Sequence, residues 1–242
     1  MSGPTTVTLT GTGTPQVDPA CAGPGALVRH GDVALQFDAG RATTLRLAEA
    51  GVRPAELDAL FVTHHHSDHL VGLADVVMSR WLGGRHDASH LTVVAPAGPS
   101  STFVERMLDP WVDDIAVRSQ HLDRTDGPQP DVVAFDSDAA LDQAVEVWSE
   151  GEVRVSARRV HHEPVTPAVA YRVDTPTGSV VVTGDTIVCD EVAELAVGAD
   201  VVVYEAFRRD AVLAFAEAMP HLRQLADYHA DTKAIGAQMV EA

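Results

Sequence analysis

Cysteine is nearly absent: Cys21 and Cys189 are the only two in 242 residues. Two thiols so far apart make no disulfide framework, so a reduced, cytoplasmic setting is expected. Lysine is scarcer, with Lys233 the sole example. The 17 basic residues face 35 acidic ones, a formal charge of −18. A surface this acidic repels phosphate backbones unless a local basic patch overrides it. Arg158-Arg159 and Arg208-Arg209 are the candidate patches, and such pairs are more often solvated surface. On this ground a large RNA partner is disfavoured. No apolar run approaches the ~20 residues that cross a bilayer. The start, Met1 to Thr6, lacks the basic-then-apolar order of a signal peptide, so no membrane partner is expected.

What remains is an ordinary globular composition, 45 % apolar. The length allows one large domain, 1–242, with a sizeable core. Strand-like and helix-like stretches alternate, which indicates an α/β class. Residues 5–13 read as a strand running into a glycine loop, and 26–38 as a hairpin. A helix over 43–50 follows, closed by Gly51. Residues 91–96 read as a strand, and Ser100-Ser101 as the cap of a helix to about Leu108. Trp81 and Trp111 are expected in the core, with the lining of a pocket mouth as the alternative. Residues 123–138 have linker composition and are expected to be a loop between two halves of one domain. Strands are expected at 145–148, 153–157, 170–174, 179–183 and 200–207, and a helix at 189–197.

The most informative stretch runs from Phe61 to His69. A short apolar run, Ala59 to Val62, reads as the end of a buried strand. His64, His65, His66, Asp68 and His69 follow within six residues. Apolar residues from Leu70 to Met78 then recur at helical spacing, so one helix is expected to about Leu82. Neutral imidazole suits zinc, and carboxylate oxygen suits zinc, manganese or iron. In extended chain His64 and His66 point the same way, so one cation can take both. Asp68 and His69, at the start of a helix, are aimed at a second position. A lone histidine would read as a solvated polar loop; His-x-His-x-Asp-His behind a buried strand does not.

Thr-His-x-His-x-Asp-His resembles the signature of the metallo-β-lactamase superfamily of metal-dependent hydrolases. Within it the chain is most similar to the tRNase Z nucleases, which trim tRNA 3′ ends, and to their phosphodiesterase and arylsulfatase-like relatives. The resemblance runs from Gly11 to about Gln238. It implies a four-layer αββα sandwich, one or two zinc ions (or manganese or iron), and by analogy a homodimer. It places a third histidine of the first metal at the end of the strand before Glu163, in a His-x-Pro-Val-x-Pro-Ala pattern. His162 has that spacing; His161 is the alternative. Asp185, in Gly184-Asp185-Thr186, matches the family's bridging aspartate, though an aspartate there also caps a helix well. Asp38 matches an acidic residue that orients a ligand histidine, or is simply a turn residue before Gly40. Glu205 and His229 match a pair that protonates the leaving oxygen, against the reading of a surface ion pair. His30, His86, His90, His121 and His221 fit no pattern. The family continues into a last strand whose histidine binds the second metal, and no histidine follows His229 here. A weaker second metal position, or a chain cut short, is the expectation that follows.

The resemblance thus implies a metal-activated water attacking a phosphodiester, with Asp68 as the base. Aryl sulfates, lactones and other small esters are alternative substrates. A non-catalytic metal- or ligand-binding protein on the same fold is the rival of a different class.

Overall fold

The computed structural model describes residues 3–84, 89–220 and 222–241. His86 and His221 lie outside them. The chain divides at Phe135/Asp136 into two compact units, each with its own sheet.

The first unit holds β1 (Thr5–Gly11), β2 (Gly25–His30), β3 (Val33–Phe37), β4 (Ala59–Phe61), β5 (His90–Pro96) and β6 (Gln129–Phe135), side by side in that order. β1, β2 and β3 form an antiparallel meander. From β3 to β6 all neighbours are parallel. Parallel strands need crossovers, and these are helical. α1 (Thr43–Glu49) links β3 to β4; α2 (Ser67–Leu70) and α3 (Leu73–Gly83) link β4 to β5; α4 (Pro99–Arg106) and α5 (Val112–His121) link β5 to β6. The apolar runs of β4 and β5 are buried, as expected of strands covered by such crossovers. Leu60, Val62, Leu73, Val76, Val77 and Val93 share one core cluster. Phe37 and Phe61 stack at 4.8 Å with no exposure, each burial contributing roughly 1.5–3 kcal/mol.

The second unit holds β7 (Val145–Glu150), β8 (Val153–Arg159), β9 (Val169–Thr175), β10 (Gly178–Val182) and β11 (Val201–Val203), in the order β11-β10-β9-β8-β7. Pairing is antiparallel except between β10 and β11. α6 (Asp190–Ala196) makes the crossover from β10 to β11, and α7 (Arg209–Ala214), α8 (Leu222–Tyr228) and α9 (Thr232–Glu241) follow.

Four local expectations are corrected. The stretch 123–138, expected to be loop, contains strand β6, with Pro130 inside it. Proline lacks the N–H a central strand needs, but β6 is an edge strand of its sheet and tolerates it. The helix expected after the histidines is two, α2 and α3, parted at Val71-Gly72. There the Gly72 N–H donates to the Ala39 carbonyl, and a Cβ on Gly72 would sit 2.2 Å from the Gly40 oxygen. The cap of α4 is Gly98, not Ser100; Ser101 turns its Oγ back to accept the Gly98 N–H. Trp81 is fully buried, but Trp111 is 48 % exposed, in a turn that precedes a helix with no buried residue. Among the described residues, no helix is long and apolar enough to cross a membrane.

Candidate metal centre

In open α/β sheets the functional groups gather beyond the carboxyl ends of the parallel strands. β3 and β4 are parallel with Phe37 opposite Phe61, so the residues just past each strand end become neighbours. Asp38 takes a left-handed conformation, φ 53°, which turns the chain out of β3; aspartate is among the few side chains that accept it. The turn reading of Asp38 therefore holds, and the side chain is also employed. Asp38 Oδ1 accepts the Thr63 N–H at 2.8 Å. Its Oδ2 accepts the Thr63 hydroxyl at 2.8 Å and His69 Nδ1–H at 2.7 Å. Thr63 Oγ1 in turn lies 2.9 Å from His64 Nδ1. Asp38, Thr63, His64 and His69 are all 4 % exposed or less.

The donors of this unit converge. The His64 ring centroid is 4.9 Å from that of His66 and 4.3 Å from that of His69. His66 is the N-cap residue of α2 in extended conformation, and Asp68 and His69 occupy its first turn. The Ala39 N–H donates to the His69 carbonyl, which ties the short helix to the exit of β3. Asp68 Oδ2 is 3.8 Å from His69 Nε2. That is too long for a hydrogen bond. It lies inside the roughly 4.4 Å that two atoms can span when each is about 2.2 Å from a shared cation. His65 is half-buried with its ring 6.4 Å from that of His66.

The second unit repeats the principle with different parts. β10 and β11 are parallel with Val182 opposite Val203, so Asp185 and Glu205 both lie just beyond strand ends. His162 lies just beyond the end of β8 and is 1 % exposed. Its Nδ1 donates to the Tyr228 carbonyl at 2.9 Å, and its Nε2 is 3.8 Å from Asp185 Oδ2. His161 is turned away: its ring is about half exposed and lies against Glu163 and Glu191. Asp185 does not cap α6, whose N-cap is Cys189.

Glu205 is the knot of this unit. Its Oε1 accepts three hydrogen bonds, from His229 Nδ1 at 2.9 Å, the Thr186 N–H at 3.1 Å and the Ala230 N–H at 3.2 Å. The side chains of Glu205 and His229 are 15 % and 22 % exposed, so a surface ion pair does not describe them. One donor atom from each of Asp185, Glu205 and His229 lies within 4.8 Å of the others. Burial pushes the Glu205 carboxyl above the ordinary range, opposed by the His229 hydrogen bond and reinforced by the Asp185 charge. Burial likewise lifts the Cys189 thiol and the Tyr228 phenol, the latter with help from Asp185.

The donor set fits a zinc-type cation. His69 and His162 each give an Nδ1–H to an oxygen of the protein, which leaves Nε2 as the nitrogen carrying the lone pair. Carboxylates stand 3.8 Å from both Nε2 atoms. The sequence alone assigns no separate role to Thr63, Tyr228, Thr186 or Ala230. Thr63 was visible inside the motif, whereas the other three act through main-chain groups that no side chain announces.

Comparison with known proteins places this arrangement. The family model described as "Metallo-beta-lactamase superfamily" matches residues 17–221. A curated protein called Ribonuclease Z from Mycolicibacterium gilvum is 36 % identical over 230 residues, 94 % of this chain and 77 % of that protein. The Ribonuclease Z of Mycobacterium bovis is 35 % identical over 233 residues, 96 % of this chain and 80 % of that protein. Among solved structures, the short form of human tRNase Z matches with a TM-score of 0.63 at 19 % identity, covering 96 % of this chain and 94 % of its own. A diphosphatase of the PhnP family matches with a TM-score of 0.63 at 19 % identity, covering 98 % of this chain and 82 % of its own. At such identities the solved structures establish a shared fold.

Proposed function

Since the chain belongs to the metallo-β-lactamase superfamily and, within it, to the ribonuclease Z family, we propose that this hydrolase uses zinc to cleave phosphodiester bonds of RNA at the 3′ end of precursor tRNA. The observation that carries the reading is the paired orientation of imidazole and carboxylate in each unit, His69 with Asp68 and His162 with Asp185. We assign His64, His66, Asp68, His69, His162 and Asp185 as the ligands of one or two zinc ions per chain. A cation held there lowers the pKa of a bound water from 15.7 toward about 7 and polarises the phosphoryl oxygen. Asp68 takes the proton of the attacking water. His229, with Nδ1–H committed to Glu205, holds at Nε2 the proton that passes to the leaving oxygen.

The expectation that the net charge of −18 disfavours RNA is withdrawn, because relatives about 35 % identical over most of the chain are named for a ribonuclease. Charges act mainly within a Debye length of about 8–10 Å, so the local field at the site matters and the total does not. Cys21 and Cys189 are unpaired thiols, which supports a cytoplasmic setting. By analogy with the family we assign a homodimer.

The test is a substrate panel with metal control. Precursor tRNA with a 3′ trailer and bis-p-nitrophenyl phosphate should be cleaved, chelation should stop both reactions, and zinc should restore them. Cleavage that survives full removal of metal would refute the zinc reading. Turnover of an aryl sulfate or a lactone with neither phosphodiester touched would refute the substrate reading.

A further inference from the structure

We propose that Thr63 is a positioning residue through which Asp38 fixes the proton on His64, so that one buried carboxylate orients two histidines. The inference rests on the reading of His64 and His69 as zinc ligands. His69 gives its Nδ1–H directly to Asp38 Oδ2 at 2.7 Å. Toward His64 the link runs through Thr63, whose Oγ1 lies 2.8 Å from Asp38 Oδ2 and 2.9 Å from His64 Nδ1.

The direction of the relay follows from counting hydrogens. A hydroxyl has one hydrogen and a carboxylate has none. If the Thr63 hydrogen pointed at His64, two oxygens would face each other at 2.8 Å with nothing between them, in a site with no more than 4 % exposure. Burying such an unsatisfied pair costs the full desolvation of the groups. The hydrogen therefore lies on the Asp38 side. Thr63 Oγ1 then offers His64 a lone pair, and Nδ1 must supply the hydrogen. The Thr63 N–H on Asp38 Oδ1 locks the residue in this pose from the main chain. With Nδ1 protonated, Nε2 is the ligand nitrogen of His64, as it is of His69. The signature threonine is thus a hydrogen-bond adaptor: one carboxylate reaches adjacent ligands at two distances, one directly and one through a hydroxyl.

Valine has nearly the shape of threonine and no hydroxyl; serine keeps the hydroxyl. Zinc affinity is read by competition with a chromophoric chelator, for the wild type, Thr63→Val, Thr63→Ser and His64→Ala. Loss of an outer hydrogen-bond partner weakens metal binding by about 10–100-fold, and that loss is expected for Thr63→Val. Thr63→Ser should bind as the wild type does. Thr63→Val binding as tightly as the wild type, with His64→Ala weaker, would overturn the relay and spare His64 as a ligand. His64→Ala binding as tightly as the wild type would overturn the ligand reading and the relay together. If Thr63→Val does not fold, ring 15N spectra of the metal-free wild type decide the matter. The Nδ1–H tautomer at His64 is expected, and the Nε2–H tautomer would overturn the relay.

Discussion

In the first unit the candidate donors follow one another from His64 to His69, and a side chain, Asp38, orients them. In the second unit His162, Asp185, Glu205 and His229 are scattered over three strand ends and the turn between α8 and α9, and the main chain does much of the orienting. The Tyr228 carbonyl sets His162, and the Thr186 and Ala230 N–H groups hold Glu205. The two designs respond differently to change. An orienting side chain can be deleted by one substitution. An orienting carbonyl persists through any substitution that leaves the backbone in place, and is lost only when the segment carrying it moves.

The comparison is open to direct attack. The largest effect is expected from the carboxylates nearest the imidazoles. Asp68→Ala in the first unit and Asp185→Ala in the second should each abolish hydrolysis of bis-p-nitrophenyl phosphate, with circular dichroism unchanged. Full activity in either variant would remove that unit from the chemistry. Next come the two adjacent histidines. His162→Ala should lose zinc and activity together, whereas His161→Ala, at a half-exposed position, should change kcat/KM by less than about twofold. The reverse order would mean that His161 is the ligand.

A smaller loss is expected at Glu205. Glu205→Ala strands three donors and should lower kcat by about 10²–10⁴-fold, the usual contribution of a general acid or base. Glu205→Gln keeps an oxygen for those donors and should retain zinc content while losing part of kcat. Equal loss in both variants would mean that charge, not positioning, is what Glu205 supplies. The smallest effect is expected at Tyr228. Because its carbonyl and not its hydroxyl serves His162, Tyr228→Phe should leave zinc affinity and kcat within about twofold of the wild type. A tenfold loss of zinc affinity there would break the claim that the second unit is oriented by main chain.

The first unit was readable because its donors are neighbours in sequence and behind a strand. Period-two alternation in extended chain already puts His64 and His66 on one side. The strands themselves were legible except β6, whose Pro130, with Gly127-Pro128 just before it, mimics a linker until the sheet order shows that it is an edge. The break between α2 and α3 was not legible, since it answers to the backbone of residues 39–40 and not to a local propensity. In the second unit the resemblance points to His162, Asp185, Glu205 and His229, with His161 as the alternative to His162. Burial and the Tyr228 carbonyl separate them in the fold.

What this sequence determined by itself is the α/β class, most strand positions and the chemistry of residues 64–69, because each depends on periodicity or on residue types a few positions apart. Only the tertiary structure decided which nitrogen of each oriented histidine carries the proton, that Asp38 serves Thr63 and His69 at once, and that Glu205 gathers three donors. Those outcomes depend on groups far apart in the chain, several of them main-chain N–H and C=O, which every residue except proline possesses and which only folding gives an address.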